Sequence, residues 1–249
     1  MTEEIKLSRR DSRHNSLPQI GTEGQKKISN SVAVVVGMGG IGCIAASYLT
    51  SSNIGKIYVC DFDTVDESNL GRQILYNEDD VGQKKSECSK RNLSKINSSI
   101  DIITVDKRID EIELSKYTDM GNAIILDCTD NFSSRFEINK FAVNNNLYLV
   151  VGAAIRFEGQ VSIFGNNYKI SPCYNCLYQE DDETLEDCSG SGILSPIPGI
   201  IGATMASETI KIMAEMFIEN NKINIYDGLT NEWSSIKTKK RNQCPTCSI

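Results

Sequence analysis

The chain has 249 residues and a formal net charge of −7, with 40% hydrophobic and 24% charged residues. This length suits one large domain, and the hydrophobic content suffices for a buried core, so extensive disorder is excluded. The acidic charge argues against a nucleic-acid partner, and the apolar runs are too short for a membrane span. Because the charged N-terminus is unlike a signal peptide, we expect a cytoplasmic protein without a membrane partner.

In chain order, the hydrophobic pattern predicts apolar strands that alternate with amphipathic helices. The strands expected in the first half span 32–37, 56–60, 100–105, 123–128 and 147–153, and the helices 41–52, 83–97, 111–119 and 132–145. Strands at 158–164, 222–228 and 232–238 follow, with a helix near 199–219 between them. Apolar strands separated by helices indicate a parallel sheet covered on both faces. We predict an α/β fold with a doubly wound, mostly parallel, Rossmann-like sheet, continued by a smaller β-rich half.

The first strand leads directly into a glycine turn, "VAVVVGMGGIG" at residues 32–42. Gly37, Gly39 and Gly42 have the G-x-G-x-x-G spacing of nucleotide-binding folds. Without side chains, the turn lets phosphate oxygens approach backbone N–H groups at a helix N-terminus. The spacing predicts a phosphate site but does not say whether the ligand is a dinucleotide or another nucleotide.

Polar residues that follow later strands narrow this choice. Asp61 follows the second strand at the spacing expected for a carboxylate on a ribose hydroxyl. In such a sheet the ligand lies beyond the carboxyl ends of the strands, where the donors Asn69, Arg72 and Lys85 face the acidic Asp127 and Asp130. Donors opposite carboxylates suit a triphosphate and its magnesium ion. Each charge taken singly is also compatible with a solvated surface residue.

Histidine is too scarce for several kinds of catalytic site. His14 is the only histidine in the sequence, which excludes any site that needs two. A Ser–His or Cys–His couple would have little to work with. Neutralisation of phosphate charge by Arg, Lys and Mg²⁺ needs no histidine and stays compatible with the chain.

The nine cysteines fall into different groups. "PCYNC" and "QCPTCSI" each contain a C-x-x-C pair, and two such pairs are the usual ligands of a closed, structural zinc site. A redox pair or a chance spacing is the alternative. We predict that these residues bind zinc and tie the chain end to a mid-chain loop: Cys173, Cys176, Cys244 and Cys247. Four further cysteines in apolar or helical stretches are expected to be small core residues: Cys43, Cys60, Cys88 and Cys128.

A set of motifs covering nearly the whole chain resembles one enzyme family. The motifs are "VVGMGGIG", "DFDTVDESNLGRQILY", "VGQKK", "LDCTDNFSSR", "GAAIRFEGQ", "PCYNC" and "CPTC". In this combination they resemble the MoeB and ThiF adenylyltransferases, which activate ubiquitin-like sulfur carriers and are related to the ubiquitin-activating enzymes. The resemblance implies that ATP binds beside the first strand and that the carrier's C-terminal diglycine carboxylate attacks its α-phosphate. An acyl-adenylate and pyrophosphate result, and sulfur then replaces AMP to leave a thiocarboxylate.

Matching positions imply roles for individual residues. The glycine turn, with Gly40 at its centre, would hold the phosphates, and Asp61 the ribose. Asp130 would organise magnesium, with Asn131 beside it. The run after the second strand is implied to contact the phosphates together with Lys85: Ser68, Asn69, Leu70, Gly71 and Arg72.

The N-terminal segment "SRHNSLP" is similar to an arm of this family. The resemblance implies a homodimer in which Arg13 is offered to the partner subunit's ATP. The sequence departs from the family at Asn15 and Ser16, where apolar residues are usual.

Cys188 lies in "QEDDETLEDCSGSGILSP", where glycines, serines and acidic residues indicate a flexible crossover loop near 178–195. By resemblance, ThiF-type enzymes link such a cysteine covalently to the carrier, whereas MoeB-type enzymes do not depend on it. Glu186 and Asp187 would raise the thiol pKa and oppose a nucleophilic thiolate. The sequence is therefore compatible with both a catalytic and a dispensable role for the Cys188 thiol.

The expected organisation is a single domain over residues 1–249. It comprises an N-terminal arm and helix (1–30), a nucleotide-binding half (31–153) and a carrier-binding half (154–249). "GAAIRFEGQ" favours a carrier of the molybdopterin pathway, while Cys188 is compatible with one of the thiamin pathway. Because no rhodanese domain is attached, we expect a separate sulfur donor, either a cysteine desulfurase or a rhodanese.

Other classes of function remain as alternatives. An NAD-linked oxidoreductase would satisfy the glycine turn and Asp61, but would leave Asn69, Arg72 and Lys85 unexplained. A non-catalytic scaffold is disfavoured because Arg72, Lys85 and Asp130 occur together in one chain. A dehydratase acting on tRNA-bound threonylcarbamoyladenosine would share the fold, but the acidic charge and "GAAIRFEGQ" argue against it.

Overall fold

The computed structural model describes residues 9–118, 123–165, 167–179 and 192–248. Strands of one sheet account for the centre of this structure. They are β1 (Val32–Val36), β2 (Lys56–Cys60), β3 (Asp101–Val105), β4 (Ala123–Asp127), β5 (Tyr148–Ile155), β6 (Glu158–Phe164), β7 (Lys222–Asp227) and β8 (Glu232–Lys237). Within the described residues their order is β3-β2-β1-β4-β5-β6-β7-β8. Pairs from β3 to β5 are parallel and pairs from β5 to β8 antiparallel, which confirms the predicted fold class.

Helices cover both faces of the parallel part. They are α1 (Ser12–Asn15), α2 (Gly21–Ser29), α3 (Gly40–Ser51), α4 (Lys85–Ile96), α5 (Glu111–Thr118), α6 (Phe132–Asn144), α7 (Tyr174–Leu177) and α8 (Pro196–Met213). Short 3₁₀ helices lie at Arg9–Asp11, Glu67–Asn69 and Glu78–Asp80. None of the helices in the described part of the chain is both long and apolar enough to cross a lipid bilayer.

The central strand β1 shows why the sheet needs helices on both sides. All five of its residues are buried. Because side chains alternate along a strand, Ala33 and Val35 join a core with α3 and α8, whereas Val34 and Val36 join a second core with α6. The continuous apolar sequence of β1 therefore reflects burial on two faces.

Helix α8 differs from its predicted extent of 199–219. It begins at Pro196, where the missing N–H and fixed φ of proline suit a first helical turn. It ends at Met213 because Glu215 adopts a left-handed conformation with φ of 54°. The N–H of Met216 then returns to the carbonyl of Lys211 at 2.9 Å, which closes the helix. The sequence does not predict this helix end, because the left-handed position is usually a glycine and here it is Glu215.

The β-rich half continues the same sheet. Strands β5 and β6 form a hairpin whose turn contains Arg156 with φ of 54°. The backbone of Arg156 pairs with a returning segment: its N–H donates to Gly192 at 2.9 Å and its carbonyl accepts from Leu194 at 2.8 Å. This pairing brings residues 192–194 to the carboxyl end of the parallel strands.

Candidate active site

A cleft of about 690 Å³ opens at the carboxyl ends of β1, β2 and β4. This is the edge where open α/β sheets bind ligands, and the volume is typical of a small-molecule site. Its wall contains much of the predicted nucleotide site. The predicted residues in the wall are Gly37, Gly39, Gly40, Asp61, Asn69, Arg72, Lys85, Asp130 and Asn131.

The glycine turn joins β1 to α3 at the floor of the cleft. Gly37 has φ of +90°, a conformation that favours glycine. Gly42 does not line the cleft; a Cβ there would lie 1.9 Å from the carbonyl oxygen of Gly37, so this glycine permits close packing of helix against strand. The first N–H groups of α3 have no acceptor within a helix, which makes this end suited to an anion.

Asp61 is buried and holds the glycine turn to the loop after β2. One carboxylate oxygen accepts the N–H of Met38 at 2.7 Å, and the other accepts the N–H of Asp63 at 2.9 Å. Burial raises the pKa of Asp61, while the positive charge of Lys85 and the two N–H donors oppose that rise. The carboxylate thus lies at the cleft wall as an acceptor fixed in place by two backbone bonds.

Lys85 reaches the cleft through pairing of two loops. Thr64 forms an antiparallel bridge with Lys84, and the N–H of Lys85 donates to the carbonyl of Asp63 at 3.0 Å. The Lys85 ammonium lies 3.1 Å from the Asp63 carboxylate, and its side chain is only 9% exposed. These contacts hold the Lys85 ammonium at one position in the cleft wall.

Within the predicted run 68–72, only Asn69 and Arg72 belong to the cleft wall. Ser68 instead closes the turn, since its N–H and hydroxyl both donate to Asp66, at 2.9 and 2.6 Å. Leu70 packs against a small buried cluster, and Gly71 is exposed. The 3₁₀ turn at Glu67–Asn69 decides which residues face inward.

The acidic residues after β4 occupy different places. Asp127 is fully buried and does not line the cleft; one of its oxygens accepts the N–H and hydroxyl of Thr129. Burial raises the pKa of Asp127, and Arg135 opposes this rise. Asp130 is exposed in the wall, and among the described residues it forms no salt bridge. Asn131 caps α6 by accepting the N–H of Ser134 at 2.9 Å. Of Asp127 and Asp130, therefore, only Asp130 presents its carboxylate to the cleft.

Gln73 and Arg135 line the cleft but were missed by the sequence predictions. Gln73 is 3% exposed, and its side-chain oxygen has no hydrogen-bond partner among the described residues. A buried amide of this kind is costly unless a ligand completes its bonding. Gln73 directly follows Arg72 and lies four residues after Asn69, so its position in the sequence could have predicted that it lines the cleft with them. Arg135 donates to the carbonyl of Thr129 at 2.6 Å and so supports the loop that carries Asp130.

Arg13 and Cys188 are the remaining predicted catalytic residues. Arg13 is an exposed residue of α1 and is absent from the cleft wall. Cys188 belongs to residues 180–191, which lie outside the described residues.

The four cysteines of the C-x-x-C pairs come together. Their Sγ atoms all lie within 4.8 Å of one another, with 3.6 Å between Cys173 and Cys244 and 3.5 Å between Cys176 and Cys247. Thiolates about 2.3 Å from a tetrahedral zinc ion are separated by about 3.8 Å, so this arrangement fits zinc. The N–H of Arg241 lies 3.4 Å from the Cys176 sulfur. The hydrogen bond from Cys173 lowers the pKa of Cys176 and raises that of Cys173, so the two thiols share a proton in the absence of an ion.

Comparison with known proteins agrees with this geometry. The family model described as ThiF family matches residues 12–246. A molybdopterin-synthase adenylyltransferase of Salmonella typhimurium is 37% identical over 227 residues, which are 90% of this chain and 90% of the relative. A sulfur carrier protein ThiS adenylyltransferase of Escherichia coli is 32% identical over 238 residues, covering 96% of this chain and 94% of the relative. A crystal structure of E. coli MccB with ATP matches with a TM-score of 0.82 and 25% identity, over 98% of this chain and 75% of that one.

The chain belongs to the ThiF family. The family match and the identities above 30% over nearly complete chains confirm the resemblance predicted from the motifs.

Proposed function

We propose that this chain is an ATP-dependent adenylyltransferase that acts on the C-terminal carboxylate of a ubiquitin-like sulfur carrier ending in Gly-Gly. The observation that carries the proposal is the cleft, in which the glycine turn, Asp61, Arg72, Lys85 and Asp130 meet at one edge of the sheet. Curated relatives of nearly equal length are named as adenylyltransferases of such carriers or of their partner synthase. The match to MccB with ATP supports a nucleotide as the ligand of this fold.

In the proposed reaction the cleft binds ATP and neutralises its charge. The first N–H groups of α3 would bind phosphate oxygens, and Asp61 would accept hydrogen bonds from the ribose. Lys85 and Arg72 lie in the same wall and would offset negative charge on the phosphates. Asp130 would hold Mg²⁺, which when bound offsets the phosphate charge further.

The chemistry requires charge neutralisation more than proton transfer. The attacking group is a carboxylate, which is already a nucleophile at neutral pH, and the leaving group is pyrophosphate. Two anions must approach each other, and fixed cations in a partly enclosed cleft lower the cost of that approach. This explains how a chain with one histidine can perform the reaction.

The carrier would reach the cleft from the β-rich half. The cleft wall includes Ala154, Ile155 and Ile193 from this half, opposite the glycine turn. Farther out, Ile223 lies beside Ile236 in the β7–β8 pairing, and the Ile236 side chain is 54% exposed. Exposed apolar side chains on this outer hairpin suit docking of a small protein whose tail then reaches the site.

We propose zinc in the cluster of four cysteines as a structural ion without a chemical role, since the cluster contributes nothing to the cleft wall. A separate sulfur donor, a cysteine desulfurase or a rhodanese, would complete thiocarboxylate formation. One relative is named for the molybdopterin synthase and another for the carrier ThiS, and their identities to this chain are similar. Sequence identity therefore does not separate the two pathways, and the carrier that the chain accepts would define its pathway. The two roles considered for Cys188 stay predictions.

Carrier-dependent exchange of labelled pyrophosphate into ATP tests this function. We expect exchange with Mg²⁺ and either a molybdopterin-type or a thiamin-type carrier, and none with the same carrier lacking its last glycine, because the reacting carboxylate is then displaced. The active carrier also identifies the pathway. Absence of exchange with every such carrier, together with binding of a nicotinamide dinucleotide, would contradict the proposal in favour of an oxidoreductase.

We also propose a homodimer in which Arg13 completes the site of the partner subunit. This role requires the side chain to be exposed and away from its own cleft, as it is in this chain. The cation would add to the charge neutralisation by Arg72 and Lys85.

Mixing two inactive variants distinguishes an Arg13 that acts on the partner's site from one that acts within its own chain. Arg13→Ala and Asp130→Ala are each expected to lose most exchange activity as homodimers. After unfolding and joint refolding, a mixed dimer contains one site with both residues intact, so about a quarter of wild-type activity should return, from half the dimers with one good site each. If Arg13 acted within its own chain, each subunit would stay defective, and no activity would return.

A further inference from the structure

The side chain of Tyr76 connects the glycine turn with helix α4. Its ring is 6% exposed, and its hydroxyl lies 2.9 Å from the carbonyl oxygen of Met38 and 2.9 Å from the hydroxyl of Ser89. A carbonyl oxygen only accepts, so the Tyr76 proton is directed to Met38 and Ser89 donates to Tyr76. Burial raises the pKa of Tyr76 far above its ordinary value, so the phenol remains a donor at any working pH.

The backbone of Met38 is thus held at both its N–H and its carbonyl. Its N–H donates to Asp61 at 2.7 Å, and its carbonyl accepts from Tyr76 and, at 3.3 Å, from the thiol of Cys43. Met38 itself is fully buried. This loop conformation is therefore specified by side chains from three separate segments of the chain.

The direction of the Met38 carbonyl determines the direction of the next N–H. In a planar trans peptide, the carbonyl of one residue and the N–H of the following residue point to opposite sides. Because the carbonyl of Met38 points to Tyr76, the N–H of Gly39 points away from it. Gly39 lines the cleft, and within the described part of the chain its N–H has no acceptor.

Tyr76 also relates this N–H to Lys85. Ser89, its second partner, lies one turn after Lys85 in α4, and both residues are buried. The segment before Tyr76 is attached to the same helix, since the side-chain amide of Asn92 donates to the carbonyl of Leu75 at 3.0 Å. Gly39 and Lys85, which both line the cleft, are thus attached to one buried network.

We propose that Tyr76 is a positioning residue for adenylylation: its hydroxyl holds the Met38 carbonyl and so presents the N–H of Gly39 to the phosphates of the nucleotide. The inference deepens the proposed function and rests on it. Tyr76 itself touches no substrate and acts through Gly39.

The test compares nucleotide and nucleoside binding by calorimetry in the full-length protein. For Tyr76→Phe we expect about tenfold weaker ATP binding, because one buried hydrogen bond that orients the loop is lost, while adenosine binds within about twofold of wild type. Tyr168→Phe is the matched control; it removes another buried phenol-to-carbonyl bond, to Leu147 at 3.0 Å and outside the cleft wall, so ATP binding should change by less than about twofold. The exchange reaction with carrier should follow the ATP affinity.

Equal weakening of ATP and adenosine by Tyr76→Phe, or no weakening of either, would overturn the inference, since a general structural role acts on both ligands. A second measurement needs no variant: the amide signal of Gly39 in the wild-type NMR spectrum should shift when inorganic pyrophosphate is added, and an unchanged signal at saturation would also overturn it. Failure of the wild-type protein to bind ATP would instead contradict the proposed function.

Discussion

Replacement of Asp130 by alanine is expected to reduce carrier-dependent pyrophosphate exchange by about a hundred- to a thousandfold, the size of effect seen when a main electrostatic group is removed from an active site. Asp130 is an exposed carboxylate in the cleft wall without a cationic partner in the described structure, so its removal leaves no local charge unpaired. The fold should therefore persist while the proposed magnesium site is lost. Exchange rates over a range of Mg²⁺ concentrations measure the effect.

Two further variants control this experiment. Asp130→Asn keeps the size of the side chain but removes its charge, and we expect nearly the same loss as with alanine. Glu111→Ala removes an exposed carboxylate from α5, outside the cleft wall, and should leave exchange unchanged. Near wild-type exchange by Asp130→Ala at low Mg²⁺ would remove Asp130 from the mechanism.

Replacement of Cys176 by serine is expected to abolish zinc binding and to lower the melting temperature by about 10 °C. Binding of a structural zinc ion is coupled to folding, and for a chain of this size each kcal/mol lost corresponds to roughly 2–4 °C. Without the ion, the pair Cys244 and Cys247 would no longer be joined to the segment at Cys173. Metal content by mass spectrometry and thermal unfolding measure the two effects.

Cys88→Ser separates the loss of metal from the loss of a buried thiol. Cys88 is fully buried in a small cluster away from the four cysteines, so its replacement should lower stability but keep one zinc ion per chain. Wild-type protein purified without chelators and found free of zinc would contradict the proposed ion. Full exchange activity of Cys176→Ser at a temperature where it stays folded is the expected sign of a structural role.

Much of the fold was determined by the sequence alone. Apolar strands such as β1 and amphipathic helices have a recognisable pattern of hydrophobic residues, and the glycine turn has a fixed spacing. Each of these signals is contained in a few neighbouring residues. The C-x-x-C pairs likewise predicted their own meeting point, because two such pairs are the usual ligand set of one tetrahedral metal site. Asp61 and Asp130 were located by a simple rule, since residues after parallel strands share one edge of the sheet.

Only the tertiary structure decided which neighbours of those residues face the cleft. Ser68 lies in the run implied by resemblance, yet its hydroxyl closes a turn with Asp66, whereas Gln73 reaches the wall. Tyr76 ends the motif "DFDTVDESNLGRQILY", but the motif does not show that its hydroxyl bonds to Met38, which is 38 residues away along the chain. Side-chain direction in turns is determined by hydrogen bonds between distant segments, and local sequence patterns do not encode those bonds.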